Sequence, residues 1–474
     1  MEVKEKVAHD DESFRDSLST LDDEGHRKWI FPKRPVGRFY NWRKLVSYVL
    51  LTILFGVPFI KIGSEPLLLF NVLERKFVIF GQVFWPQDFH LFVIGMISIL
   101  VFVILFTVIY GRIFCGWLCP QTIFMEMVFR RIEYVIEGDY MAQKKLKTQD
   151  WNGEKIGKKG LKHAIFLAIS FLIMHTFMSY IIGVDQVWAL MSQAPNANVG
   201  GFTAMVFFTG MFYLVFTLIR EQVCTNICPY GRLQGVLLDK SSVVVAYDYV
   251  RGEGESGRAI LRKNEDRTDA GHGDCIDCHQ CVQVCPTGID IRNGTQLECV
   301  NCTACIDACD SIMDKVGFDR GLIKYASEDQ IVTREPFRLT SRMIAYSGVL
   351  TLLLSVLAVL ILIRGDIESS ILRTPGIMYQ EREDGSYSNL YNYKILNKSQ
   401  NDMPIEIRVL NPKASVQLVG AEISVEHQEI AEGAMFVILE PEAIEGTKTD
   451  IKIGIFSNDE LVETVKTSFL GPSL

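Results

Sequence analysis

Five stretches of this chain, residues 45–62, 89–109, 161–183, 202–219 and 343–363, are strongly apolar and nearly free of charge. Each is long enough to cross a hydrocarbon core of about 30 Å, which takes about 20 residues of helix. Lipid offers the backbone no hydrogen-bond partner, so such stretches must be helical. At 474 residues and 49% hydrophobic, the chain is too long for one compact domain and too apolar for an ordinary soluble one. The stretch 67–84 is also apolar, but Glu74, Arg75 and Lys76 interrupt its middle. Charge is costly in lipid, so an interfacial loop is expected there, with Trp85 near the headgroups.

Lys and Arg close to the spans set the orientation. Arg27, Lys28, Lys33, Arg34, Arg38, Arg43 and Lys44 precede the first span, and Arg130, Arg131, Lys144, Lys145, Lys147, Lys155, Lys158, Lys159 and Lys162 lie between the second and third. The loop 184–201 has none. The N-terminus and the segment 220–342 are therefore expected in the cytoplasm, and everything after Ile363 outside. Residues 1–25 are acidic and polar, with no apolar core of a cleaved signal. The net charge of -8 argues against a nucleic-acid partner, which needs clustered cations.

All twelve cysteines fall in regular spacings, a pattern of ligands rather than disulfides. Eight form two runs, Cys275-x2-Cys278-x2-Cys281-x3-Cys285-Pro286 and Cys299-x2-Cys302-x2-Cys305-x3-Cys309. Three cysteines in successive tight turns make a tripod for a cubane, and in two-cluster ferredoxins the fourth serves the other cluster. On that rule Cys275, Cys278, Cys281 and Cys309 hold one 4Fe-4S cluster, and Cys299, Cys302, Cys305 and Cys285 the second. Asp310 stands where a proline usually follows the second run. Cys275 to His279 also fits covalent haem attachment, but ferredoxin spacing and the expected cytoplasmic side oppose it. A zinc ribbon needs one set of four cysteines, not two.

The remaining cysteines lie in Cys115-Gly116-Trp117-Leu118-Cys119-Pro120, after the second span, and Cys224-Thr225-Asn226-Ile227-Cys228-Pro229, after the fourth. The membrane region thus reads as two repeats, an arrangement that commonly puts a functional site at the repeat interface. On one helix, cysteines at i and i+4 would share a face about 6 Å apart. Four soft sulfurs suit Cu(I), zinc or an iron-sulfur centre, and the spacing leaves these open alongside redox-active thiols or plain packing. His175, near Met174 and Met178 on the third span, is expected to bond a neighbouring helix or carbonyl rather than a metal. From about residue 380, period-two runs at 391–396, 405–410 and 451–456 point to an all-β sandwich. That domain has no cysteine, and a docking or scaffolding role fits it better than catalysis.

The chain therefore divides into a segment 1–41, a helical membrane domain 42–229, an α+β two-cluster ferredoxin-like domain 230–342, a fifth transmembrane helix 343–364 and an immunoglobulin-like β-sandwich 380–474. The ordered combination of Cys-Gly-Trp-Leu-Cys-Pro, a second C-x3-C-P, a tandem ferredoxin, a last span and a β tail resembles the FixG/RdxA/CcoG family of bacteria with a cbb3-type cytochrome c oxidase. The resemblance covers nearly the whole chain. It implies an inner-membrane protein, with its ferredoxin in the cytoplasm and its last domain in the periplasm, that binds copper and reduces Cu(II) to Cu(I) for oxidase assembly. Cys115, Cys119, Cys224 and Cys228 would then be the copper-binding and reducing site and the ferredoxin cysteines its electron supply. Membrane lipid, oxidase assembly factors or copper chaperones, and an electron donor are the implied partners. A polyferredoxin-type carrier between quinol or a cytoplasmic donor and another redox protein, and a non-enzymatic assembly scaffold, are the competing readings.

Overall fold

The structure is a computed structural model that describes residues 26–472 together with Thr20 and Glu24, apart from 64, 86, 87, 263–266, 268, 337, 366, 377, 400, 413, 421, 422 and 428. Most of the acidic stretch 1–25, read above as lacking a signal, lies outside the described residues. Among those described, five helices are long and apolar enough to span a membrane: Arg38–Phe59, Phe89–Tyr110, Gly153–Ile182, Val199–Ile219 and Ser341–Leu362. They coincide with the five stretches expected, and the first and third begin several residues earlier. The chain forms two compact units, one built on Phe92–Ser355 with the segments up to Lys61 and Pro66–Arg75, the other on Val356–Leu474 with Ile62–Glu65 and Lys76–Leu91.

In the first unit, spans one, three and four pack around the segment Phe124–Phe129. Phe129 stacks on Phe216 with ring centroids 4.5 Å apart and meets Phe166 edge-on at 4.8 Å, while Leu51, Leu54 and Phe55 of the first span close the cluster. Lipid tails are as apolar as these side chains, so the helices are held by close packing and polar contacts rather than by exclusion of water. Aromatic pairs of this kind contribute about 0.5–1.5 kcal/mol each.

The cysteine runs follow in a small α+β domain. Val244–Tyr247 pairs antiparallel with Ile323–Ala326, so strands on either side of the eight cysteines close the domain on itself. Within it, Gln280–Gln283 and Ala304–Val316 are helical, and Val245, Ile289, Ile291, Ile306, Met313 and Leu322 form its core with the cysteines.

In the second unit, two antiparallel sheets share one core. One sheet contains Ala414–Val419, Ile430–Leu439, Tyr387–Asn397 and Ile367–Arg373, and the other Ile423–Val425, Met403–Asn411, Lys448–Ser457 and Glu460–Leu470. Tyr391, Ile395 and Val437 of one face Ile407, Ile453 and Ile455 of the other, all buried. The domain therefore starts before 380: Ile367–Arg373 pairs with Tyr391–Asn397, and its alternation was masked by its nearness to the last span. The stretch 67–84 also differs from the expected loop, since Lys76–Ile79 and Gln82–Phe84 make a hairpin. Its charge is met locally, with Lys76 2.5 Å from Glu65. Asp88, just before the second span, takes Lys398 and Arg364 at 2.7 Å each.

Candidate redox site

The two ferredoxin runs impose the same backbone shape. Asp277 and Asn301, one residue before the middle cysteines, and His279 and Thr303, one residue after, all lie in the left-handed region, with φ of 50°, 51°, 53° and 63°. Non-glycine residues hold such angles only where surroundings over-determine them, here the need to curl three sulfurs toward one point. Two cysteine-lined cavities result. The outer, about 350 Å³, is lined by Cys275, Cys278, Cys281 and Cys309. The inner, about 340 Å³, is lined by Cys285, Cys299, Cys302 and Cys305, with Cys281 on the shared wall. Each cavity collects the fourth cysteine of the other run. Among the described residues, no three Cys, His, Asp or Glu side chains converge tightly enough to hold a single ion. Sulfurs spread round a cavity suit a cubane, so the first set would hold one 4Fe-4S cluster and the second the other, each supplying a one-electron couple when bound.

Burial sets the chemistry of the free thiols. It pushes Cys281 and Cys299 up to about 12 and raises Cys305 and Cys309 as well, aided by neighbouring cysteines. Iron, which binds thiolate, must therefore displace protons from these sites. Cys278 alone of the eight is exposed. The outer cavity's cation is neutralised, because Arg292 binds both Asp290 and Asp277.

The C-x3-C-P segments repeat in backbone as well as sequence. The residue four before the first cysteine is left-handed in both, Gly111 with φ 55° and Arg220 with φ 56°. Arg220 holds that angle while clamped by Glu133, at 2.6 and 2.9 Å. The expected single helical face is not formed. Cys115 sits in the short helix Ile113–Trp117, whereas Cys119 is extended ahead of the helix Pro120–Ile123. Cys224 lies in the turn Val223–Ile227, and Cys228 is extended ahead of Pro229–Leu237. Proline clashes with a helical residue before it, so each second cysteine is turned out of its helix.

The two pairs nevertheless lie within electrostatic reach of one another. Cys115 feels the charges of Cys119 and Cys228, and Cys224 those of Cys119, Cys115 and Cys228. Burial pushes Cys115 up to about 11, opposed by Arg112, and Cys224 up to about 12. Both pack with Val284, Val300, Cys302 and Ala304, of which Val300 and Cys302 line the inner cavity. The backbones approach closely at Gly116, where a Cβ would stand 2.6 Å from the carbonyl oxygens of Val300 and Asn301; no side chain fits. Trp117 donates its indole N–H to the Tyr325 hydroxyl at 3.0 Å, and Asp307, between Cys305 and Cys309, accepts from the Phe39 and Tyr40 amides that open the first span. Beside Cys224 a cavity of about 310 Å³ reaches Thr287 and Val300 and has Glu126 and Glu221 on its wall.

An ion network beneath the pairs escaped the sequence reading. Glu133 binds Arg220 and Lys162, Lys162 and Lys159 bind Glu137, and Arg130 joins Glu126 to Glu221. Burial alone would raise the Glu133 carboxyl, but Arg220, Lys162 and Arg130 together bring it down to about 2. His175 has its Nδ1 2.7 Å from the Phe171 carbonyl, the bonding expected of it.

Apolar spans, two cavities each lined by four cysteines and a thiol group against one of them define a membrane-bound iron-sulfur electron carrier. Comparisons agree: a 4Fe-4S dicluster domain matches residues 219–328, a 4Fe-4S binding domain residues 92–148, and an IG-like fold found at the C-terminus of FixG residues 357–472. The chain is 32% identical over 433 residues to Nitrogen fixation protein FixG of Rhizobium meliloti, covering 83% of this chain and 82% of the relative. It is 33% identical over 399 residues to Protein RdxA of Cereibacter sphaeroides, covering 80% and 82%, and 33% identical over 400 residues to that organism's Protein RdxB, covering 81% and 82%. The chain belongs to the FixG/RdxA family.

Proposed function

We propose that Cys115, Cys119, Cys224 and Cys228 form one acceptor centre at the membrane face and that its substrate is copper, bound and reduced from Cu(II) to Cu(I) during assembly of a cbb3-type oxidase. The observation that carries this is the packing of Cys115 and Cys224 on Val300 and Cys302, with Gly116 bringing its backbone against Val300 and Asn301. Soft thiolates favour Cu(I) over Cu(II), so a site that holds the product better than the substrate favours the gain of one electron. Cys115 and Cys224, partly buried and with thiols raised by that burial, must each release a proton to bind the metal. The exposed Cys278 face suits entry of electrons from a donor, and the Gly116 face suits their exit.

The Lys and Arg bias supports a cytoplasmic ferredoxin and a periplasmic last domain. The immunoglobulin-like form of that domain suits docking of a copper chaperone or an oxidase assembly factor. A second reading, that the four cysteines hold a third cluster and pass electrons to another redox protein, draws support from the match of residues 92–148 to a 4Fe-4S binding domain. Metal analysis and electron paramagnetic resonance of anaerobically purified protein separate the two. Copper reduction should vanish in the Cys115→Ser, Cys119→Ser double variant while both cluster signals persist. Undiminished reduction in that variant overturns the assignment, and loss of a third iron-sulfur signal supports the second reading.

A further inference from the structure

The buried arginines of the first unit fall into two kinds. Arg130, Arg220 and Arg292 each face carboxylates, at 2.7, 2.6 and 2.6 Å. Arg43 and Arg112 face none within ion-pair distance among the described residues. Arg43, 2% exposed, donates its Nε to the Gly116 carbonyl at 2.6 Å, and its Nη2 finds no partner. Arg112, 3% exposed, donates to the carbonyls of Leu297 and Gly231 and has the Cys299 carbonyl 3.5 Å from Nη1, while its Nε finds no partner.

A buried charge without a counter-charge costs several kcal/mol, and a guanidinium cannot escape by losing its proton. Two such groups beside one cavity, Arg112 near the Cys299 carbonyl and Arg43 on Gly116 next to Val300 and Asn301, imply an anion there. Both lie toward the inner cavity. Arg112 opposes the effect of burial at Cys299 and Cys115, and Arg43 does so at Cys302. A cubane held by four thiolates is such an anion, and reduction adds one more negative charge; net charge and solvent exposure are among the factors that set its potential. Arg267 also lacks a carboxylate, but the Gly273, Ala259 and Cys275 carbonyls meet all three of its nitrogens, and it stands at the outer cavity.

We propose that Arg43 and Arg112 are positioning residues that act as counter-cations of the inner cluster, stabilising its reduced form and so holding the electron on the side facing Cys115 and Cys224. The inference rests on reading the two cavities as cluster sites. Redox titration of the full chain in detergent, followed by electron paramagnetic resonance, tests it with Arg112→Gln, Arg43→Gln and Arg112→Lys. In each Gln variant one of the two one-electron steps should move to lower potential, with about a tenfold change in the oxidised-to-reduced ratio at the original midpoint, or ~59 mV for one electron. The other step should stay, and Arg112→Lys should recover most of the shift. A merely structural role predicts the opposite sign, because undocking lets water reach the cavity and favours the more charged, reduced form. An upward shift, no shift, or equal movement of both steps overturns the inference. Absence of two titratable steps in the unsubstituted protein overturns the cluster reading itself.

Discussion

The outer and inner cysteine cavities are built from the same motif, with matching left-handed residues, yet their neighbours differ. Around the outer one the domain satisfies itself: Arg292 is neutralised by Asp277 and Asp290, and Cys278 is exposed. The inner one is completed from outside the motif, by Gly116, Arg43 and Arg112 from the membrane segments. Equal ligand spacing thus yields two unequal sites, and the inequality comes from what packs behind the sulfurs.

The comparison breaks most severely where the membrane segments lose their ion network. Arg220→Met removes the two-bond partner of buried Glu133 and leaves it Lys162 at 3.5 Å, and breaking a buried pair costs up to about 3–5 kcal/mol. Thermal unfolding in detergent should show the loss, with the inner cluster's signal fading before the outer one's. The same network gives a pH dependence. The Glu133 carboxyl is depressed in the fold to about 2 from an ordinary 4.5, so its contribution is present above pH 4.5 and is lost as pH falls toward 2. Acid titration of stability should show that loss in the parent and not in Glu133→Gln.

Gly116→Ala drives a methyl into the Val300 and Asn301 carbonyls, an overpacking cost of about 1–3 kcal/mol. It should perturb the inner signal and spare the outer. Asp307→Ala removes the cap on the first span, worth about 0.5–2 kcal/mol; because Asp307 lies between ligands of both cavities, both signals should change together. Tyr325→Phe loses the bond from Trp117 and its own donation to the Asn301 carbonyl at 3.3 Å, about 1 kcal/mol each, and should lower the melting temperature slightly while leaving the outer signal unchanged.

Local features were legible in the sequence. The spans, the cysteine runs and the cross-over of the fourth cysteines depend on residues near one another in the chain. The site's environment was not, because Arg43 meets Gly116 and Glu133 meets Arg220 only after folding. Counting cations for orientation treated Arg43, Arg130, Lys155 and Lys162 as flanking charges, although all four are buried. The i, i+4 expectation failed for a reason already present in the sequence: Pro120 and Pro229 dictate that Cys119 and Cys228 leave the helix. A copy of one cysteine motif in each repeat pointed to the repeat interface, but not to the cavity the pairs would adjoin.

As proposed, both cysteine pairs serve one centre fed from the inner cavity. The most direct test is single-turnover reoxidation of the reduced protein by Cu(II), comparing Cys115→Ser with Cys228→Ser, one from each pair. Both variants should lose fast reoxidation to the same extent while keeping both cluster signals. Fast reoxidation retained in either variant would contradict it.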